Sequence, residues 1–144
     1  MLAIYVDDMT FAGAPEDVQD FERSVEKKFR VTHGDRLHWL LGIGVEWHDQ
    51  GACEVALSQK QYIKDVLHRF GMTDANPAST PASTDAKLSK DMAPNTEADR
   101  KAMEGVPFRE AVGCLLYLAL GTRPDISAAV GVVARYCSDP GPAH

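Results

Sequence analysis

Long apolar runs are missing from this sequence. The longest stretches, such as Leu115–Leu120, fall far short of the roughly 20 residues that cross a bilayer, which argues against a membrane-spanning helix. The amino end, Met1-Leu2-Ala3-Ile4-Tyr5-Val6-Asp7-Asp8, has no basic stretch ahead of its apolar residues and meets two acids at once, so no secretory signal is expected. Cysteine is scarce. Cys53, Cys114 and Cys137 are odd in number, far apart and without zinc-type spacing, which predicts free thiols in a reduced intracellular protein. Positive charge is short as well: 15 Lys and Arg stand against 21 Asp and Glu, a formal charge of −6. Broad, sequence-independent nucleic-acid binding runs on Lys and Arg against phosphate, so the chain alone is not built for it, although one local contact stays open.

What is present is enough for a core. The chain has 144 residues, 44% of them hydrophobic, which suits one domain or a small domain with an appendage. Three zones differ in composition. Residues 1–72 are rich in Val, Ile, Leu and aromatics. Residues 73–106 hold only Leu88, Met92, Met103 and Val106 as large apolar side chains, and carry Pro77, Pro81 and Pro94. Such a stretch buries too little surface to offset its ordering entropy and reads as an extended connector, mobile over 73–95, with one short helix where Thr96 and Asp99 have capping-box spacing. Residues 107–144 turn apolar again.

The periodicities predict an α+β fold. Leu2–Val6 and Met9–Ala12 flank Asp7-Asp8 as two short runs around a polar turn, a β-hairpin over residues 2–12. Pro15 suits a helix start, and Val18, Phe21, Val25 and Phe29 then mark one helical face over 16–29, packing on that hairpin. Trp39–Trp47 and Glu54–Leu57 read as strands of a second hairpin around His48-Asp49-Gln50-Gly51. Ser58 is placed to cap a helix carrying Tyr62, Ile63, Val66, Leu67 and Phe70, with Gly71 as its stop. In the last zone Phe108, Val112, Leu115 and Leu116 mark one helix ending at Gly121. Ile126, Ala129, Val130 and Val133 mark another, capped by Thr122 with Asp125 three residues on and ended by Pro140 and Pro142. Gly113, Ala128 and Gly131 would let the two helices approach closely.

Asp7-Asp8 is the sharpest chemical feature. Two carboxylates side by side at a tight turn repel one another, and a cation relieves that repulsion. Mg²⁺ is the hard, oxygen-seeking candidate, and a pair of such ions supports in-line nucleotidyl transfer. On the dipeptide alone, an ordinary solvated turn is the better explanation of the pair. Glu46, between Val45 and Trp47 on a strand, faces the opposite way to them, toward solvent. Lys27 and Lys28 read as surface lysines, and His33, His38, His48 and His68 lack ligand spacing.

The surroundings of the pair carry more. Tyr5-Val6-Asp7-Asp8, between an apolar strand and Met9-Thr10-Phe11-Ala12-Gly13, resembles the metal-binding hairpin of reverse transcriptases. Trp39-Leu40-Leu41-Gly42-Ile43-Gly44-Val45, Leu57-Ser58-Gln59-Lys60-Gln61-Tyr62-Ile63, Phe70-Gly71-Met72, Ser79-Thr80-Pro81, Phe108–Gly113, Leu115–Leu118 and Thr122-Arg123-Pro124-Asp125-Ile126 come next, in the order found in copia-type retrotransposon polymerases. Together they cover nearly the whole chain. The resemblance implies a partial polymerase palm and the start of the thumb over 1–72, a connector over 73–106, and a helical connection over 107–144 leading toward an RNase H domain. It implies that Asp7 and Asp8 are catalytic and bind Mg²⁺ or Mn²⁺, and that Tyr5 lies near the growing strand's end or the entering nucleotide. It places Trp39, Leu40 and Gly42 against the primer.

The implied partners are an RNA or DNA template-primer, a dNTP, and the rest of a Pol polyprotein with its fingers and RNase H. The implied setting is cytoplasmic, in a virus-like particle, without a membrane.

The family's first catalytic strand, with its own metal-binding Asp, lies upstream of this hairpin, so the expectation is a palm fragment inactive on its own. His33-Gly34-Asp35-Arg36-Leu37 departs from the family's Asp-Leu-Gly and leaves that loop open. A non-catalytic remnant acting as a folding or interaction module is the alternative. A phospho-accepting receiver domain also opens with a strand and an acidic pair. It needs a second Asp at a strand end where this chain has the turn-like Asp49–Glu54, and a helix where this chain has Met9–Ala12.

Overall fold

The computed structural model describes residues 1–34, 36–48, 54–83 and 87–144. The fold is α+β, with small antiparallel sheets, and it divides into two compact units, Met1–His38 and Trp39–His144.

In the first unit, β1 (Leu2–Tyr5) and β2 (Asp8–Phe11) pair from Leu2↔Phe11 to Tyr5↔Asp8. The turn is Val6-Asp7, one residue earlier than the polar pair suggests, because Asp8 joins the ladder opposite Tyr5. Helix α1 (Pro15–Glu26) starts on Pro15, whose fixed φ suits the first turn, with Glu16 and Asp17 beside it where the helix dipole favours anions. Its apolar stripe faces the hairpin: the Phe21 ring lies 5.0 Å from the Phe11 ring, tilted by 59°. The helix stops at Glu26, short of Phe29, which is 65% exposed. With nothing to cover Phe29, another turn would gain no burial. His33 Nε2 instead folds back to within 2.7 Å of Glu26 Oε1. No described residue of this unit is fully buried; Val18, Phe21 and Val25 are half-buried.

The second unit holds β3 (Trp39–Leu40), β4 (Ile43–His48) and β5 (Glu54–Ser58) in that order. The run expected as one strand, Trp39–Trp47, is broken. Leu41 and Gly42 both take positive φ, 52° and 84°, and Leu40 pairs with Ile43. Positive φ at both central residues is the type I′ pattern, whose twist matches two right-twisted strands. Strands β4 and β5 then pair from Gly44↔Ser58 to His48↔Glu54, so the second hairpin forms. Its turn residues Asp49–Gly51 lie outside the described residues. Val45 is buried and Glu46 exposed, as alternation requires.

At the start of helix α2 (Lys60–Arg69) Gln59 holds the cap position, with its side chain turned to other partners, while Ser58, which ends β5, still accepts the helix's first N–H, that of Lys60, at Oγ at 3.4 Å. At the other end Gly71, at φ 65°, closes a Schellman motif: Gly71 N–H donates to His68 C=O at 3.2 Å and Met72 N–H to Leu67 C=O at 2.7 Å. A 3-10 turn covers Lys90–Met92, and α3 (Glu97–Met103) forms where the capping-box spacing predicts it. Thr96 Oγ1 accepts from Asp99 N–H at 3.1 Å while Asp99 Oδ2 accepts from Thr96 N–H at 3.0 Å.

Helix α4 (Phe108–Gly121) packs on α5 (Ser127–Ala134), with a 3-10 turn at Pro124–Ile126 between them. Thr122 does not cap α5; it ends α4, and Asp125 is taken by Arg123 at 2.8 Å. Nor do Pro140 and Pro142 end α5, which stops at Ala134; Arg109 gathers the carbonyls of Cys137 at 2.5 Å and Ser138 at 3.1 Å beyond it. Gly113, Ala128 and Gly131 lie on exposed surface rather than in the helix contact. Among the described residues, all the fully buried apolar side chains belong to this unit: Val45, Val66, Val112, Cys114, Leu118, Ala119, Val130 and Tyr136. At roughly 1.5–3 kcal/mol for fully burying a Val or Leu side chain, most of the hydrophobic stabilisation resides here.

Candidate functional site

The acidic pair sits at the tip of the β1–β2 hairpin. Of the two turn residues, only Val6 takes positive φ, at 52°. That is the type II′ pattern, whose first position normally belongs to glycine. A β-branched residue there is a genuine outlier, with a cost of about 1–3 kcal/mol. Val6 is 81% exposed, so packing of its side chain does not offset the strain. The turn leaves Asp7 in the loop and Asp8 on the first position of β2, both exposed, with Tyr5 opposite Asp8. The structure thus brings together Tyr5, Asp7 and Asp8.

These residues fit a hard divalent cation in one particular way. Among the described residues no group of three His, Cys, Asp or Glu side chains could hold a metal ion, so the hairpin offers two carboxylates and not a closed cage. Mg²⁺ is commonly held by one or two carboxylates with water and substrate phosphates completing its shell.

Trp39, Leu40 and Gly42 belong to the other unit, at the β3–β4 turn. Trp39 is 53% exposed and its ring lies across Gly44, where a Cβ would come within 3.4 Å of Trp39 Cζ3. The two glycines of Gly42-Ile43-Gly44 therefore have separate jobs. Gly42 supplies the turn, and Gly44 makes room for the indole.

Around this turn is a cluster of which periodicity marks only Tyr62. Tyr117, from α4, donates its hydroxyl to the Leu41 carbonyl. Tyr62, from α2, meets the Tyr117 ring edge-on with centroids 5.0 Å apart. Gln59, 1% exposed, donates through Nε2 to the Tyr117 carbonyl at 3.4 Å and accepts at Oε1 from the Thr122 hydroxyl at 2.8 Å. Burial, reinforced by the adjacent Cys114, pushes the Tyr62 phenol up to about 12. Cys114 and Cys137 carry free thiols. The available signal was a polar residue, Gln59, directly between a strand and an amphipathic helix.

Comparison with known proteins gives the family. A family model described as reverse transcriptase (RNA-dependent DNA polymerase) matches residues 1–84, and the chain belongs to that family. Within it the chain is similar to the Pol polyproteins of copia-type retrotransposons. It is 38% identical to the retrovirus-related Pol polyprotein from transposon TNT 1-94 of Nicotiana tabacum, over 100% of this chain and 11% of that protein. It is 33% identical to the one from transposon RE1 of Arabidopsis thaliana, over 99% of this chain and 9% of that protein. An uncharacterized mitochondrial protein of Arabidopsis thaliana is 34% identical over 96% of this chain and 54% of its own length. The chain thus spans about a tenth of the Pol polyproteins it matches, and corresponds to part of a retrotransposon reverse transcriptase. No solved structure matches it significantly.

Proposed function

We propose that this chain carries the catalytic hairpin and the primer-holding turn of a copia-type reverse transcriptase. The observation that carries the reading is the strained Val6 turn, which sets Asp7 and Asp8 next to each other at an exposed hairpin tip. In this reading residues 1–72 are part of the palm and the start of the thumb, 73–106 a connector, and 107–144 the connection toward RNase H. Asp7 and Asp8 hold Mg²⁺ or Mn²⁺, which when bound activates the primer 3′ hydroxyl and neutralises charge on the transferred phosphate. Tyr5, across the ladder from Asp8, flanks the strand end or the entering dNTP. Trp39, Leu40 and Gly42 bear on the primer, with the Trp39 indole offering a stacking face. The polyprotein's other segments supply fingers, a further carboxylate and RNase H, and the working location is a cytoplasmic virus-like particle. The isolated chain then extends no primer, because positioning supplies much of the rate in phosphoryl-type transfer and this reading assigns the fingers and the further carboxylate to the polyprotein's other segments.

The test is Mn²⁺ titration with NMR. Broadening should centre on residues 5–10, with affinity on the order of millimolar, about 4 kcal/mol. It should vanish in the Asp7→Asn/Asp8→Asn double variant. Broadening that centres elsewhere and survives the double variant makes the hairpin an ordinary solvated turn.

A further inference from the structure

The β3–β4 turn is held by residues far along the chain from it. Leu41 sits at φ 52°, a conformation that costs an L-residue with a side chain about 1–2 kcal/mol. Leu41 is 44% exposed, so its own burial gives limited compensation. Two contacts act on the turn from beneath. The Tyr117 hydroxyl donates to the Leu41 carbonyl. At Gly42 a Cβ would stand 3.8 Å from Tyr62 Cδ2 and 4.0 Å from Tyr117 Cε1, so the two rings form a floor under the turn.

Tyr117 is itself fixed. Its ring is braced edge-on by Tyr62, and its carbonyl accepts from the buried Gln59 amide, which the Thr122 hydroxyl holds from the end of α4. An Arg69–Glu110 ion pair at 3.1 Å ties α2 to the start of the same helix. The position of α4 is thereby passed to the turn through one phenol.

We infer that Tyr117 is a positioning residue for the Leu41–Gly42 turn: the helix of residues 108–121, through the Tyr117 hydroxyl and the Tyr62–Tyr117 ring floor, sets how the turn presents Trp39 and Leu40 to a primer strand. This rests on the proposed primer contact of that turn. It adds that the 108–121 helix is part of the primer-holding apparatus and not only a link toward RNase H.

The experiment compares the 144-residue chain with its Tyr117→Phe and Tyr117→Leu variants. One measurement is amide hydrogen exchange at residues 41–44. The other is fluorescence anisotropy with a labelled RNA–DNA primer-template. Phenylalanine keeps the ring floor and removes only the hydroxyl. Exchange at the turn should rise about tenfold in Tyr117→Phe, and further in Tyr117→Leu, while the β4–β5 amides stay as in the parent chain. Primer-template affinity should fall about tenfold in Tyr117→Phe. Unchanged turn exchange in Tyr117→Phe, with an effect only in Tyr117→Leu, overturns the inference and leaves Tyr117 a packing residue. Faster exchange with unchanged affinity overturns the link to the primer. A parent chain that binds no primer-template refutes the proposed primer contact itself, while the exchange data still decide whether Tyr117 holds the turn.

Discussion

The Thr122 hydroxyl donates to Gln59 Oε1 at 2.8 Å, joining the end of α4 to the junction of β5 and α2 across 63 residues of sequence. Gln59 is the one fully buried polar side chain among the described residues, so its Oε1 depends on the half-buried Thr122 hydroxyl for a partner. Removing one partner there leaves the other unsatisfied, at about 1–3 kcal/mol. Thr122→Val should therefore destabilise the chain by that amount in a denaturant melt. Gln59→Leu should cost at least as much, since it also releases the Tyr117 carbonyl. The double variant should cost clearly less than the sum, because both unsatisfied ends disappear together. Strict additivity in the cycle would show that the two groups do not meet.

The raised phenol of Tyr62 has a consequence in alkali. Its folded-state pKa of about 12 exceeds the unperturbed value near 10, so folding favours the neutral form. That contribution is complete below pH 10 and is lost as pH rises through 12. Of the four tyrosines, Tyr62 should be a late-titrating component of the phenolate absorbance. Tyr62→Phe should remove that component, and should flatten the loss of stability between pH 10 and 12. Absence of a component titrating near 12 in the parent chain would contradict the desolvation of this ring.

The parts of the fold legible in the sequence were those set by local chemistry. The 97–103 helix followed from Thr96 and Asp99, because a capping box is closed within four residues. The stop at Gly71 followed from its freedom at positive φ. The first hairpin was legible from two short apolar runs around a polar turn. What escaped was set by distant partners. Ser58 lies one residue ahead of the cap position because β5 extends through it, though its Oγ accepts from Lys60 N–H, and Thr122 caps nothing because Gln59 claims its hydroxyl. The break at Leu41-Gly42 was hidden because Leu is a poor marker for positive φ, and the group that holds it there is a phenol 76 residues away. The stripe of Phe29 was over-read, since periodicity cannot say whether anything lies opposite the last turn.

The Val6 turn allows the strain at the acidic pair to be measured. Glycine adopts positive φ freely, so Val6→Gly removes a backbone cost of about 1–3 kcal/mol and adds back about 0.5–1 kcal/mol of lost chain entropy. No side-chain burial is forfeited, because Val6 is 81% exposed. The hairpin should gain about 1 kcal/mol, seen as roughly fivefold slower exchange of the β1–β2 ladder amides. Val6→Ala should gain much less, since a Cβ retains most of the penalty. The gain in stability should come with a looser tip. A glycine turn samples more conformations, Asp7 and Asp8 are then less firmly set relative to one another, and Mn²⁺ broadening at residues 5–10 should weaken even as the ladder strengthens. Slower exchange together with unchanged metal contact would show that the strain does not serve the carboxylates. Faster exchange in Val6→Gly would show that Val6 is not strained in this turn.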